Sequence, residues 1–230
     1  MAVALLDRAA VELGINLLNI SALLRNLDTT IVQEGGAMAG EGEEFKGEYR
    51  KGPKTHLVRT ASGGLAPAKS YKGIKALLDT LPTHQVMKQK YPKLFLKKGA
   101  TNTRVAEEKR NVRVVGWMFD AKREEDEDYH VIVGTQSSGA NNTFMNVEVS
   151  GLPPRGKVRT DLKAARTEFE HIAQRTISRA RYNDFTPPIK VRITGSLFFD
   201  GDHAPGSIGP KGHRPKTVWE IHPVAKIEAI

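Results

Sequence analysis

Two stretches of nearly the same sequence, VRVVGWMFD (112–120) and VRITGSLFFD (191–200), decide the predicted fold. Both are rich in β-branched and aromatic residues, which favour strands. Both carry a glycine near the middle, Gly116 and Gly195, and a mid-strand glycine allows a sharp bend or the close approach of another backbone. We therefore expect two long strands that each bend at their glycine.

Three further apolar runs between turn residues also predict strands, and one segment predicts a helix. The predicted strands cover 111–121, 128–136, 144–152, 189–201 and 217–229. The helix is expected within 160–182, where apolar residues recur every three or four positions at Leu162, Ala165, Phe169 and Ile172. The sequence therefore predicts the order strand, strand, strand, helix, strand, strand.

This order is that of the OB-fold, a five-stranded and partly open Greek-key barrel. In such a barrel the first and fourth strands are neighbours, which fits the two matching stretches with their glycines. A mixed α+β sheet of another topology would give a similar string of elements. We expect a mainly β fold, with a five-stranded OB-like barrel over residues 111–230 and a helix between its third and fourth strands.

Residues 1–110 are predicted to form an N-terminal extension that is not part of this barrel. Short helices are expected within 3–26, followed by a glycine-rich, acidic linker, QEGGAMAGEGEEFKG (33–47). Residues 46–98 carry thirteen basic and two acidic side chains, and the net charge of the whole chain is +9. Such a basic segment indicates nucleic acid or another polyanion as partner. A solvated arm without a partner is the alternative.

Seven basic side chains are the candidate phosphate contacts. They are Arg50, Lys51, Lys54 and Arg59 in the basic segment, and Lys211, Arg214 and Lys216 between the last two predicted strands. Contacts of this kind bind electrostatically, with little sequence specificity. No stretch is long and apolar enough for a membrane span. The N-terminus lacks the basic start of a signal peptide, so a soluble, cytoplasmic protein is expected.

Polar side chains with metal-binding chemistry share single faces of the predicted strands. Alternation places Asp128 with His130 on the second strand and Glu220 with His222 on the last, while His203 follows the fourth. Imidazole and carboxylate ligands together suit zinc, manganese or iron. These five residues are therefore a candidate site for a divalent metal or another ligand. The alternative is a structural role, with each group hydrogen-bonded at the rim of a small barrel.

Three motifs give the C-terminal half a recognisable pattern: DYH (128–130), FFDGDH (198–203) and WEIHPV (219–224). With them, residues 111–230 resemble an uncharacterised bacterial family of OB-like domains in which such motifs recur. The resemblance implies that the five candidate ligands occupy the family's recurring polar positions. It implies no activity, and it does not extend to residues 1–110.

The sequence favours a binding module over an enzyme, and no catalytic residue is assigned. It has no HExxH or G-x-S-x-G motif, and the absence of cysteine excludes a cysteine nucleophile and a zinc–thiolate site. The leading expectation is an OB-like module that binds nucleic acid or another polyanion. The second is a metal-dependent hydrolase of the nuclease type, built on the His/Glu/Asp cluster. The third is a module that binds a protein partner through its N-terminal helices.

Overall fold

The computed structural model describes residues 43–230, of which 44–230 form one compact, mainly β unit. Its elements are α1 (Lys51–Thr55), β1 (Ala68–Ser70), α2 (Ile74–Leu78), α3 (His84–Lys90), two 3-10 turns (Pro92–Phe95 and Ala106–Glu108), β2 (Asn111–Arg123), β3 (Tyr129–Gly134), β4 (Phe144–Val149), α4 (Lys157–Ala173), β5 (Asn183–Phe199) and β6 (Trp219–Ala229). None of the helices in this range is long and apolar enough to cross a membrane.

Five of the six strands form a closed ring. The sheet order is β1-β2-β3-β4-β6-β5, and β5 also pairs with β2. Neighbours in the ring are antiparallel except β4 and β6, which are parallel. The five predicted strands and the helix between the third and fourth of them are therefore present. The sequence did not predict β1, which pairs in parallel with the start of β2, because three residues are too few for a periodic pattern.

The two matching stretches are neighbours, as predicted, since β2 and β5 pair from Asn111↔Ser196 to Ala121↔Asn183. Both glycines allow close packing. A Cβ atom at Gly195 would lie 2.5 Å from the Pro223 carbonyl oxygen, and one at Gly116 would lie 2.6 Å from a methyl group of Val133. Gly195 coincides with a shift in register against β6, whereas the irregularity in β2 falls between Met118 and Asp120.

The ring strands carry different chemistry on their two faces. Alternate residues pack into one hydrophobic core with α4, and at the start of β6 these are Trp219 and Ile221. The opposite face of β3, β4 and β6 is polar and also buried. The chain around α1 covers that face, because Lys54 contacts Asp126 and the Phe45 amide bonds the Leu152 carbonyl at 2.9 Å.

Residues 44–110 are part of the compact unit, which differs from the predicted boundary at residue 110. Four of their apolar side chains are fully buried in the main core: Ile74, Leu77, Met87 and Leu94. The sequence predicts two short helical pieces within 74–99, interrupted by Pro82 and Pro92, and α2 and α3 lie there. Pieces this short do not indicate that they belong to the core. The predicted helices within 3–26, and any protein contact through them, lie outside the described residues, as does most of the predicted linker.

Candidate metal centre

Five buried ionisable side chains meet on the polar face of the ring. Asp128 directly precedes β3, which carries His130; β4 supplies Glu148, and β6 supplies Glu220 and His222. All are at most 8% exposed. Strand register brings them together, since His130 pairs with Glu148 across β3 and β4, and Asn146 pairs with Glu220 across β4 and β6. We call these five residues the buried cluster.

The imidazole of His222 lies among the carboxylates of the cluster. Its Nδ1 atom is 2.8 Å from Glu148 Oε2 and 3.8 Å from Glu220 Oε2, and its Nε2 atom is 3.3 Å from Asp128 Oδ2. His130 Nε2 lies 2.7 Å from Glu148 Oε1. One ligand atom each from Asp128, Glu148 and His222 can be chosen so that all three lie within 4.8 Å of one another.

Each carboxylate of the cluster has one oxygen that accepts a hydrogen bond and one that accepts none from the described residues. Asp128 Oδ1 accepts a hydrogen bond from the Gly151 amide at 2.6 Å. The Asn146 side-chain amide donates to Glu148 Oε1 at 2.8 Å and to Glu220 Oε1 at 2.9 Å. The other oxygen of each carboxylate, and both ring nitrogens of His222, have no hydrogen-bond partner among the described residues. Partners that fix one oxygen and leave the other free are typical of metal-ligating carboxylates.

The electrostatics of the cluster favour an added cation. Burial raises the pKa of Asp128 and of Glu220 well above the ordinary carboxyl value. Burial acts the same way on Glu148, but the charges of His130 and His222 outweigh it and hold its pKa well below the usual range. Burial would lower the pKa of His130, yet the charge and hydrogen bond of Glu148 raise it to about 9. Negative charge is thus crowded, and only partly balanced.

Lys54 supplies one balancing charge from α1. Its Nζ atom lies 3.6 Å from Asp126 Oδ2 and 4.0 Å from Asp128 Oδ2. Burial disfavours its charged form, but Glu148 and Asp128 outweigh burial and raise the pKa of Lys54 well above its ordinary value. Lys54 is therefore a charged member of this buried environment, whereas the sequence predicted a phosphate contact.

A cavity of about 540 Å³ adjoins the cluster, and His130 is the cluster residue that lines it. Both signs of charge line the cavity, including Lys54, Arg179 and Asp126. His203 also lines it, and its Nδ1 atom is 2.6 Å from Oδ2 of the buried Asp200. That hydrogen bond raises the pKa of His203. A metal in the cluster would therefore lie behind His130, next to this cavity.

The structure brings together four of the five predicted ligands: Asp128, His130, Glu220 and His222. His203 does not join them and bonds Asp200 at the cavity wall instead. Glu148 was missed, although alternation in FMNVEV puts it on the same face as Asn146, and a β3–β4 hairpin would have placed it opposite His130. The alternation was therefore visible in the sequence, whereas the register that sets Glu148 opposite His130 was not.

The predicted phosphate contacts divide into two groups. Arg50 is buried against Glu108, Lys54 belongs to the cluster environment, and Arg59 forms an ion pair with Asp161. The other four are exposed side chains: Lys51, Lys211, Arg214 and Lys216.

No protein-family model and no curated protein matches the chain.

Proposed function

We propose that this protein is a divalent-metal-dependent hydrolase whose metal is held by Asp128, Glu148 and His222. The observation that carries the proposal is the set of buried carboxylate oxygens and imidazole nitrogens that converge without hydrogen-bond partners. Burying such groups without hydrogen bonds costs several kcal/mol, and the contacts of His222 with Glu148 and Asp128, at 2.8 and 3.3 Å, offset only part of that cost. A divalent cation between them would reduce that cost, because it accepts a lone pair from one oxygen each of Asp128 and Glu148 and from one ring nitrogen of His222.

The types of ligand atom also limit which metal ions are suited to the site. Imidazole nitrogen with carboxylate oxygen suits zinc, manganese or iron, whereas calcium and magnesium prefer oxygen ligands. Glu220 Oε2 and His130 lie beside the three ligands and extend the donor set. Asn146 and the Gly151 amide hold the carboxylates from behind.

The adjoining cavity supports hydrolysis as the reaction. A bound divalent metal lowers the pKa of a coordinated water and polarises an ester oxygen. Lys54, Lys122 and Arg179 line the cavity together with Glu124, Glu125 and Asp126. In this proposal the three cations exchange their carboxylate partners for an anionic substrate such as a phosphoester. His203, held by Asp200, is placed to transfer a proton to a leaving group, since the carboxylate fixes its ring orientation.

We also infer that the ring is an OB-like barrel. The ring order β2-β3-β4-β6-β5, with α4 between its third and fourth strands, supports that assignment. OB barrels bind ligands on the face of their second and third strands. Those strands correspond to β3 and β4, whose polar face carries the cluster.

Metal analysis of the purified full chain tests the centre. We expect about one equivalent of zinc, manganese or iron per chain, lost in Glu148→Gln and in His222→Ala and retained in His171→Ala, an exposed histidine on α4. Circular dichroism confirms that each variant is folded. Failure of the wild type to bind any of the three metals after dialysis against them would contradict the proposal.

Activity separates a catalytic centre from a structural one. Metal-loaded protein should hydrolyse a phosphodiester such as bis(p-nitrophenyl) phosphate, and chelation should abolish the reaction. His203→Ala should keep the metal and lose about a hundredfold in rate, the usual contribution of a general acid or base. Bound metal without hydrolysis of this substrate or of nucleic acid would assign the centre a structural role.

The second candidate function is a polyanion-binding module. It is favoured by four exposed cations, Lys51, Lys211, Arg214 and Lys216, for which the described part of the chain provides no ion-pair partner. Substitution of these four by glutamine is a sharper test than deletion of residues 46–98, which would remove Ile74 and Leu77 from the core. Nucleic-acid affinity that depends on these four cations, in a protein that hydrolyses neither nucleic acid nor the small phosphodiester when loaded with metal, would favour the module over the hydrolase.

A further inference from the structure

A second cavity, of about 580 Å³, lies at the other end of the polar face. The β3–β4 loop, the start of β5 and the β5–β6 loop surround it. Its volume is that of an ordinary small-molecule site. The buried cluster contributes no side chain to its lining, so its chemistry is separate from that of the proposed metal centre.

Three aromatic rings form one wall of this cavity, which we call the aromatic corner: Phe119, Phe144 and His213. The Phe119 and Phe144 ring centroids are 5.3 Å apart at 86°, and His213 lies 4.8 Å from the first and 5.1 Å from the second. Phe119 sits at the register irregularity of β2. Such irregularities re-aim side chains, and here the re-aimed ring packs against a loop residue.

The aromatic corner is held in place from behind. His213 Nδ1 is 2.7 Å from Asp120 Oδ2, and Asp120 is only 4% exposed. Arg214 Nε donates to the Gly209 carbonyl at 3.2 Å, which ties the loop that carries His213. A preorganised aromatic wall loses little freedom when a flat ligand stacks on it.

The remaining lining supplies positive charge. Arg214 and Lys216 are exposed on it, and Asp184 is the one acidic residue that faces them there. Aromatic rings beside arginine and lysine are the combination with which proteins hold single-stranded nucleic acid, since bases stack on the rings and phosphates meet the cations.

The two cavities lie near opposite ends of β3, since Gly134 is close to Phe119 and Asn142 of the second lining. His130 lines the cavity at the metal centre, and Gly134, four residues on, is the point where the loop above the aromatic corner begins. Gly209 lines the first cavity, and Gly212, in the same loop, lines the second. Four residues of strand span about 13 Å, a distance that one flexible chain of nucleotides can bridge.

We propose that the aromatic corner with Arg214 and Lys216 binds a nucleotide unit, with its base stacked on the rings and its phosphate at the two cations. The proposal deepens the proposed hydrolase by naming single-stranded nucleic acid as its substrate class. Binding at this cavity needs no metal, so it can be tested separately from the metal centre.

The test measures the binding of fluorescein-labelled single-stranded DNA to the full chain in the presence of chelator. Phe144→Leu keeps the apolar volume but removes the stacking face, and should weaken binding about tenfold. Phe144→Tyr restores an aromatic face and should bind like the wild type. The double variant Arg214→Gln/Lys216→Gln should also bind about tenfold more weakly and with a smaller salt dependence.

A control and two further ligands complete the test. Lys163→Gln, at an exposed position of α4, should bind like the wild type. A duplex of the same sequence should bind more weakly, because its bases are already stacked. A mononucleotide titrated by calorimetry distinguishes a free nucleotide from a nucleic-acid strand as the natural source of the unit.

Equal affinity of Phe144→Leu and the wild type for both single strand and mononucleotide would overturn the proposal, and so would binding of neither ligand by the wild type. Loss of hydrolysis with single-strand binding intact would contradict only the metal centre. Loss of binding with hydrolysis of the small phosphodiester intact would contradict only the aromatic corner.

Discussion

Two buried nitrogen-containing side chains contact the same ring, that of Phe198, and the protein fully hydrogen-bonds only one of them. The Arg50 guanidinium lies 4.8 Å from the ring centroid, and the His222 imidazole lies 5.4 Å from it. Arg50 donates two hydrogen bonds to Glu108, at 2.7 and 2.8 Å, and three more to backbone carbonyls. His222 has no hydrogen-bond partner for either ring nitrogen among the described residues.

This difference distinguishes a structural ion pair from a candidate ligand-binding site. Glu108 is held as completely as Arg50, since both of its oxygens also accept backbone amides, from Phe199 and Val105 at 2.8 Å. A buried pair with every lone pair used needs no ligand. In the buried cluster the oxygens that face the centre are the unused ones, which is the reverse pattern. Both groups are buried, and they differ in whether all of their polar atoms are hydrogen-bonded.

The largest effect is expected from breaking the satisfied pair. Arg50→Met leaves Glu108 charged, buried and unpaired, so it should cost about 3–5 kcal/mol in the free energy of unfolding. Urea denaturation measures this cost. The folded fraction should still bind metal, because Arg50 contacts none of the proposed ligands. A variant of full stability that no longer binds metal would contradict the comparison.

Metal addition should have the next largest effect on the free energy of unfolding. This effect should depend on the buried cluster and not on the Arg50–Glu108 pair. A metal that binds the folded chain at a hundredfold excess over its Kd stabilises it by about 2.7 kcal/mol. Urea denaturation with metal and with chelator gives this difference. We expect the shift in Arg50→Met as well as in the wild type, and none in His222→Ala. An equal shift in His222→Ala would place the metal elsewhere.

Glu220→Gln tests the buried cluster by removing one of its disfavoured charges. Burial and the neighbouring Glu148 disfavour the charge of Glu220, while the amide oxygen of glutamine can still accept from Asn146. In chelator the variant should therefore be more stable than the wild type by about 1 kcal/mol. Its metal affinity, measured by calorimetry, should fall. Destabilisation without metal would mean that Glu220 is already satisfied.

The smallest effect is expected at a solvent-exposed ion pair on the protein surface. Lys75 Nζ lies 2.8 Å from Asp79 Oδ1, and both side chains are more than half exposed. Lys75→Met should change the free energy of unfolding by less than about 0.5 kcal/mol. This variant measures how much a short N···O distance contributes to the free energy of unfolding when the ion pair is exposed to solvent. A loss as large as that of Arg50→Met would show that pairing in the interior is not the deciding variable.

The ring strands could be predicted from the sequence because each alternates or carries a dense apolar run between turn residues. The paired glycines also gave the neighbours β2 and β5. Four of the five cluster residues followed from alternation in two strands and from recurring motifs. Glu148 did not, because its meeting with His130 depends on the register of β4, which a single strand does not encode.

The segment around Arg50 was the hardest part to predict. Its basic side chains have the same composition as a solvated arm, and the buried partner Glu108 lies far along the chain. Phe45 and Leu57 are buried apolar residues without a helical or strand period, so nothing local marks them as core. Only the folded unit distinguishes a lysine on the surface from Lys54 above the cluster.

The parallel pairing of β4 with β6 makes the centre a reporter of completed folding. Asn146 and Glu220 are 74 residues apart in sequence, and the helix and β5 lie between them. Closing so long a loop is entropically costly and therefore slow. A partly folded chain would present His130 and Glu148 on one hairpin without His222. Metal capture would then mark the moment at which the ring closes, and spectroscopic metals such as cobalt would make that moment visible in refolding kinetics.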